Sequence, residues 1–155
     1  MDAITLLTTD HKKVKRLLGE LESTTERGVK TRTELFATIK GELTVHEIIE
    51  EEIFYPELKA HPKAKDIVLE GFEEHHVVDP LMSELEALPV EDETWGAKAL
   101  VMKENIEHHI EEEEGEMFAK ARQVFDRDEL NDLGERMAAR KTSAQLELNI
   151  PVTTR

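Results

Sequence analysis

Apolar residues recur at three- and four-residue steps over four long stretches of the chain, the spacing of one face of an α-helix. The first stretch carries Ile4, Leu7, His11, Val14, Leu18 and Leu21, and the second Leu35, Ile39, Leu43, His46, Glu50 and Ile53. The third carries Val68, Phe72, His75, then Val78 or Asp79, then Met82 and Leu85. The fourth carries Ala99, Met102, Ile106, His109, Glu113 and Met117. Turn and breaker residues set the boundaries. Helix one is expected over about 2–23, closed by the turn Thr24–Gly28. Helix two starts near Thr31, where Thr31 and Glu34 have capping-box spacing, and runs to about Ala60, before His61-Pro62. Helix three runs over about 62–88, with Pro80 expected to kink or split it. Pro89–Glu93 reads as a loop, and helix four covers about 94–124.

A fifth segment, about 126–148, shows Leu130, Leu133, Met137 and Leu146, enough for ordinary packing outside the bundle or across one end. Glycine is scarce, β-branched runs are short and no hairpin signal occurs, so strands are not expected. The reading is all-α: an up-down-up-down four-helix bundle over about 2–124 with an additional C-terminal helix, one domain over 1–149. Residues 150–155 form a tail, and from Asn149 onward the chain is expected to be irregular or loosely packed.

Composition narrows the chemistry. The chain has 155 residues, 35% of them charged, which suits amphipathic helices with charged outer faces. Its net charge of −15 repels phosphate backbones and anionic lipid, so neither nucleic acid nor membrane is an expected partner. No cysteine is present, which excludes disulfides and thiolate chemistry and leaves imidazole and carboxylate as ligands for any transition metal. The N-terminal residues lack a signal-peptide pattern and no apolar run is long enough to span a bilayer, so a cytoplasmic location is expected.

All four apolar stripes are interrupted by histidine, and two of them also by glutamate. One inward histidine is ordinarily a satisfied core residue. An unpaired inward carboxylate is prohibitive, so it must pair, protonate or bind metal. Glu50 and Glu113 each stand four residues after an inward histidine, so both groups of each pair share a helix face. Each histidine falls about midway along its helix, so in an antiparallel bundle all four lie at one level. Imidazole plus carboxylate suits iron, manganese or zinc, and two glutamates allow carboxylate bridges between two metals. The alternative is a buried His–Glu hydrogen-bond network without metal.

Periodicity chooses between neighbours. The row through His109 holds Met102, Ile106 and Met117, whereas His108 shares its row with Asn105 and Glu112. His75 shares its row with Val68, Phe72 and Met82, whereas His76 is followed by Asp79, Pro80 and Ser83. His109 and His75 are therefore the inward residues, and His61, before a proline, is expected to be exposed. Glu47, Glu51, Glu52, Glu112, Glu114 and Glu116 read as solvated helix faces, although a π-bulge would bring Glu114 inward in place of Glu113. Tyr55, nine residues after His46, is placed as an interfacial aromatic that could approach the site.

The segment His46–Pro56 echoes His109–Ala119: His46 matches His109, Glu50 matches Glu113, and Tyr55 matches Phe118. Each half begins with a helix bearing one inward histidine, His11 or His75, so the domain reads as two helix pairs facing across a pseudo-twofold. This tandem pattern, His then His-x-x-x-Glu twice over, resembles the hemerythrin-like (HHE cation-binding domain) family. The likeness runs over about residues 2–122, and is nearest to a bacterial and mycobacterial group in which a fifth helix follows the bundle. The resemblance implies a non-heme di-iron centre, carboxylate- and oxo/hydroxo-bridged, with His11, His46, Glu50, His75, His109 and Glu113 as ligands. It makes Glu50 and Glu113 the bridges, and the partners small molecules: O2, H2O2 or NO.

One departure matters. Oxygen-carrying hemerythrins have five histidines, with an i,i+4 pair on the third helix. Here Asp79 follows His75 by four residues and Gly71 precedes it by four. Asp79, Glu47, Glu114 or solvent is left to complete the coordination, and a richer oxygen ligand set favours ferric iron and peroxide over reversible oxygen carriage. The expected function is handling of oxygen species, by catalase- or peroxidase-like decomposition in oxidative-stress defence or by O2/NO sensing. The alternatives are iron binding, storage or sensing without turnover, and a purely structural bundle using the fifth helix for interaction.

Overall fold

The computed structural model describes residues 1–151. Its elements are α1 (Ala3–Glu22), α2 (Val29–Ile49), a π-helical turn (Glu50–Phe54), α3 (Tyr55–Lys59) and a 3₁₀ turn (Pro62–Ala64). There follow α4 (Lys65–Ala87), α5 (Trp95–Glu112), a second π-helical turn (Glu113–Met117), α6 (Phe118–Val124) and α7 (Arg127–Glu147). Each π turn joins its flanking helices into one rod, so the chain makes five helical rods, and no strand occurs among the described residues. No helix among the described residues is long and apolar enough to cross a membrane.

Asp2 caps α1, its side chain accepting from the Thr5 N–H (2.8 Å). Asp126 and Glu129 form a reciprocal capping box at α7. The box expected at Thr31 and Glu34 does not form: α2 starts two residues earlier, from Gly28, without a side-chain cap. Pro80 does not split the third rod, since α4 is continuous through it. It lies on the exposed side, where water can satisfy the carbonyl it leaves free.

The direction of each rod can be read from its core. One apolar cluster contains Ile4, Leu7, Phe54, Tyr55, Leu58, Val68, Met117 and Phe118. A second contains Val14, Leu18, Ile39, Leu43, Val78, Leu85, Trp95 and Ile106. α1 and α4 pass from the first cluster to the second, and the rods containing α2 and α5 pass from the second to the first. That alternation is up-down-up-down. Between the clusters lies one polar layer that holds His11, His46, His75 and His109, each 7% exposed or less, with Glu50 at 0% and Glu113 at 1%.

The π turns shift the helical phase. Ile53, expected on the inner stripe, is only half-buried, whereas Phe54 and Tyr55 are fully buried. One extra residue per turn rotates everything after Glu50 by about 100°. α7 lies along the outside of α1 and α2. It crosses the start of α1 at Gly134, where a Cβ would stand 2.2 Å from the Met1 carbonyl oxygen, so glycine makes this approach possible. The chain after α7 is more ordered than expected: Asn149 is left-handed (φ 55°), and the Ile150 N–H donates to the Gln145 carbonyl (2.8 Å). This closes the helix, and Ile150 packs over Gly41. Residues 152–155 of the expected tail lie outside the described residues. His61 is half-buried rather than exposed, edge-on against Phe125 with ring centroids 5.1 Å apart.

Candidate metal centre

The six residues picked from the stripes meet in the polar layer. His11 Nε2 lies 3.1 Å from Glu113 Oε1, and His109 Nε2 lies 3.2 Å from Glu113 Oε2. His46 Nε2 lies 3.4 Å from Glu50 Oε2, and His75 Nε2 lies 3.1 Å from Glu50 Oε1. Each glutamate thus turns one oxygen to the His11/His46 pair and the other to the His75/His109 pair. Potential ligand atoms of His11, His46, Glu50 and Glu113 fall within 4.8 Å of one another, and so do those of Glu50, His75 and His109. His76 and His108 are exposed, as periodicity predicts.

The two halves are nearly congruent. The His11 and His46 rings have centroids 5.0 Å apart at 60°, and those of His75 and His109 are 5.0 Å apart at 62°. Phe118 stacks on His11 and Tyr55 stacks on His75.

Every imidazole is anchored from behind. The Nδ1–H of His11 donates to Glu114 Oε2 (2.7 Å) and that of His75 to Glu51 Oε2 (2.6 Å). The Nδ1–H of His46 donates to Asp10 Oδ2 (2.9 Å) and that of His109 to Glu74 Oε1 (2.6 Å). A carboxylate on Nδ1 fixes the tautomer, turns Nε2 inward and makes it a stronger donor, the usual arrangement behind a metal-bound histidine. Glu114 therefore supports His11 from outside, even though the π-bulge that was to bring it inward does form. Asp79 is exposed, and Glu47 faces the outer nitrogen of His75 at 3.6 Å. Neither belongs to the inner set.

The sequence reading missed Asp10, Glu51 and Glu74, yet the repeat carries the signal. Glu51 and Glu114 each follow the inward glutamate by one residue, and Asp10 and Glu74 each precede a histidine. Tyr55 comes further in than an interfacial aromatic would. Its hydroxyl donates to Glu113 Oε2 (2.6 Å), with Glu50 Oε1 at 3.3 Å and His109 Nε2 at 3.4 Å. The space for it exists because Gly71 lies alongside: a Cβ there would be 2.9 Å from the hydroxyl oxygen.

Among the described residues, four buried atoms find no hydrogen-bond partner: His11 Nε2, His46 Nε2, Glu50 Oε2 and Glu113 Oε1. Two imidazole–carboxylate contacts among them are short enough, but neither is aligned as a hydrogen bond. Buried polar atoms are rarely left so, and four converging at one point fit a shared cation. The electrostatics agree. Burial lowers the proton affinities of His46 and His109, but Glu50 and Asp10 beside the first, and Glu113 and Glu74 beside the second, raise both well above the ordinary range. Burial pushes the Glu113 carboxyl up, yet the neighbouring Glu50, His109 and His11 side chains hold it well below the ordinary range. Without metal, protons must neutralise this layer, and a cation can replace them. A cavity of about 30 Å³ adjoins all four imidazoles and is walled by Val14, Leu43, Val78, Ile106 and Ile110 together with Glu47 and Glu74.

Comparison with known proteins agrees with this geometry. A crystal structure of a hemerythrin HHE cation binding domain-containing protein from Mycobacterium kansasii superposes with a TM-score of 0.83 at 28% identity, over 95% of this chain and 89% of that one. No curated protein matches the chain significantly. The family model for the hemerythrin HHE cation binding domain matches residues 2–121, so the chain belongs to that family, with a buried His/Glu layer fitted to hold a cation.

Proposed function

We propose that this protein holds two iron ions and uses them on small oxygen species, hydrogen peroxide first. The observation that carries the reading is the pair of glutamates whose two oxygens face opposite histidine pairs, with four inward atoms unpartnered. Two carboxylates spanning two imidazole pairs make a bridging arrangement for two ions. The ligands are then His11, His46, Glu50, His75, His109 and Glu113. All-nitrogen-and-oxygen donors suit iron, and an iron pair supplies the two-electron redox chemistry by which two hydrogen peroxide molecules become one O2 and two waters.

The protein's own residues prepare the site. The four outer carboxylates lock the imidazoles in place. Apolar side chains on both sides of the layer exclude bulk water. The cavity has room for one or two water-sized molecules, which admits peroxide, O2 or NO and rejects larger substrates. Tyr55 brings a further oxygen to the His75/His109 half, from the side where Gly71 stands in place of a fifth histidine. Burial and the Glu113 and Glu50 charges raise its proton affinity well above the ordinary phenol, so without metal it stays protonated and holds that proton on Glu113.

The test is metal stoichiometry and the visible spectrum of purified protein, in air and after peroxide, with an oxygen electrode. About two irons per chain, a charge-transfer band and oxygen evolution are expected. Two irons without oxygen evolution would favour binding, storage or sensing over turnover. Protein free of metal after expression in iron-replete medium would sink the reading.

A further inference from the structure

The fifth helix reaches the centre through one side chain. Lys141 Nζ of α7 donates to Asp10 Oδ1 (2.7 Å), and the other oxygen of Asp10 accepts from His46 Nδ1 (2.9 Å). Asp10 is only 5% exposed, so this is an interior relay. α7 is held for the purpose: Arg140 makes two hydrogen bonds to Glu52 (2.9 and 3.2 Å), on the π turn that carries Glu50, and Arg136 bonds Glu57 (3.1 Å). Among the described residues, no lysine or arginine pairs with the other three histidine-anchoring carboxylates, Glu114, Glu51 and Glu74. Lys141 is therefore a point at which the pseudo-twofold breaks in charge.

We propose that Lys141 is a positioning residue that makes the two metal positions inequivalent, favouring the lower-valent ion at the His11/His46 end. The inference rests on the two-metal reading given above. A carboxylate already bonded by an ammonium group accepts less strongly from its histidine, so His46 becomes a weaker donor than His109, whose Glu74 has no such partner. The ammonium also adds a fixed positive charge at that end alone, which disfavours the higher oxidation state there. At the other end the Tyr55 oxygen favours it. The first electron added to the oxidised centre then goes to the His11/His46 position.

The test compares K141M, which removes the charge and keeps the stem, with K141R, which keeps the charge, in iron-loaded full-length protein. Two successive reduction potentials are measured, with Mössbauer spectra of the one-electron-reduced form. The expected result is that K141M shifts the reduced-to-oxidised ratio of the first couple about tenfold towards oxidised at fixed potential, 59 mV for one electron. The second couple stays put, and K141R restores the first. Two distinct iron sites in the wild-type spectrum become more alike in K141M. No shift, an equal shift of both couples, or the same shift in K141R would overturn the proposal. Imidazole ¹⁵N shifts of the metal-free variants give a separate readout, in which K141M should move His46 and leave His109 unmoved. If the protein binds no metal, the two-ion reading fails and the inequivalence with it. If two irons bind but His46 does not respond to K141M, only the Lys141 proposal fails.

Discussion

The His11/His46 half and the His75/His109 half of the polar layer share everything that aims an imidazole. Each histidine has a carboxylate on Nδ1, and each half has an aromatic ring stacked on its first histidine. They differ in what fills the space around that frame. The first half has Phe118 and, four residues before His11, the buried Leu7. The second has Tyr55 and, four residues before His75, Gly71, whose missing side chain makes room for the Tyr55 hydroxyl. The first half has Ile110 where the second has Glu47, and Lys141 behind Asp10 where, among the described residues, Glu74 has no lysine or arginine. The repeated positions are those that orient ligands. The unrepeated ones add a polar group beside a single half, so the duplication supplies the frame and the departures from it distinguish the two ends.

The largest effect is expected from cutting the link between the halves. Glu113→Ala removes an oxygen from both, and iron content measured after desalting should fall further than the roughly 10–100-fold affinity loss typical of an outer-sphere partner. Retention of both irons would refute the bridging role. Gly71→Leu, which copies the first half into the second, forces a side chain into the Tyr55 hydroxyl. Overpacking of this kind costs about 1–3 kcal/mol, to be read from denaturant midpoints at constant m-value, and should displace Tyr55 and change the visible spectrum.

Tyr55→Phe makes the halves alike more gently. It removes a donor from a buried carboxylate, worth about 1–3 kcal/mol in the metal-free protein by the same measurement. In the iron-loaded protein, any absorption band that depends on the phenol should vanish while both irons remain.

A pH comparison tests the His75 half without mutation. Burial pulls the His75 proton affinity down, but the Glu50 bond and charge and the Glu47 charge outweigh it and raise the folded value from 6.5 to about 9. Glu47, half-buried and beside Asp79, is raised from 4.5 to about 8. Both groups bind protons more tightly when folded. The stabilisation is therefore full below the unfolded values and lost as pH rises through the folded ones. Metal-free protein should lose thermal stability from about pH 4.5 to 9, through Glu47 up to about 8 and through His75 between about 6.5 and 9, and iron-loaded protein should lose much less, because the metal replaces those protons. Equal slopes would count against the centre. The smallest effect is expected from His76→Ala and His108→Ala. Both side chains are exposed beside buried partners, and iron content should be unchanged.

Much of this was legible in the chain. Period 3.6 named the rods, the histidine breaks in all four stripes, two of them extended to His-x-x-x-Glu, named the inner set, and doublets such as His75-His76 resolved because one neighbour shares a row with Val68 and Phe72 and the other does not. Outer carboxylates were missed because an acidic residue beside a core histidine looks like any solvated glutamate. Only the partner rod shows that Glu51 bonds His75 and Glu74 bonds His109. Ile53 was misplaced because a π turn leaves no mark in hydropathy, yet rotates every later residue.

The sequence by itself determined the bundle, the inward histidines and glutamates and the twofold repeat, because these follow from periodicity along single helices and from the cost of burying a carboxylate. Tertiary structure alone decided which oxygen faces which imidazole, that Gly71 admits the Tyr55 hydroxyl, and that Lys141 stands behind Asp10. Those depend on contacts between rods, where sequence separation carries no distance.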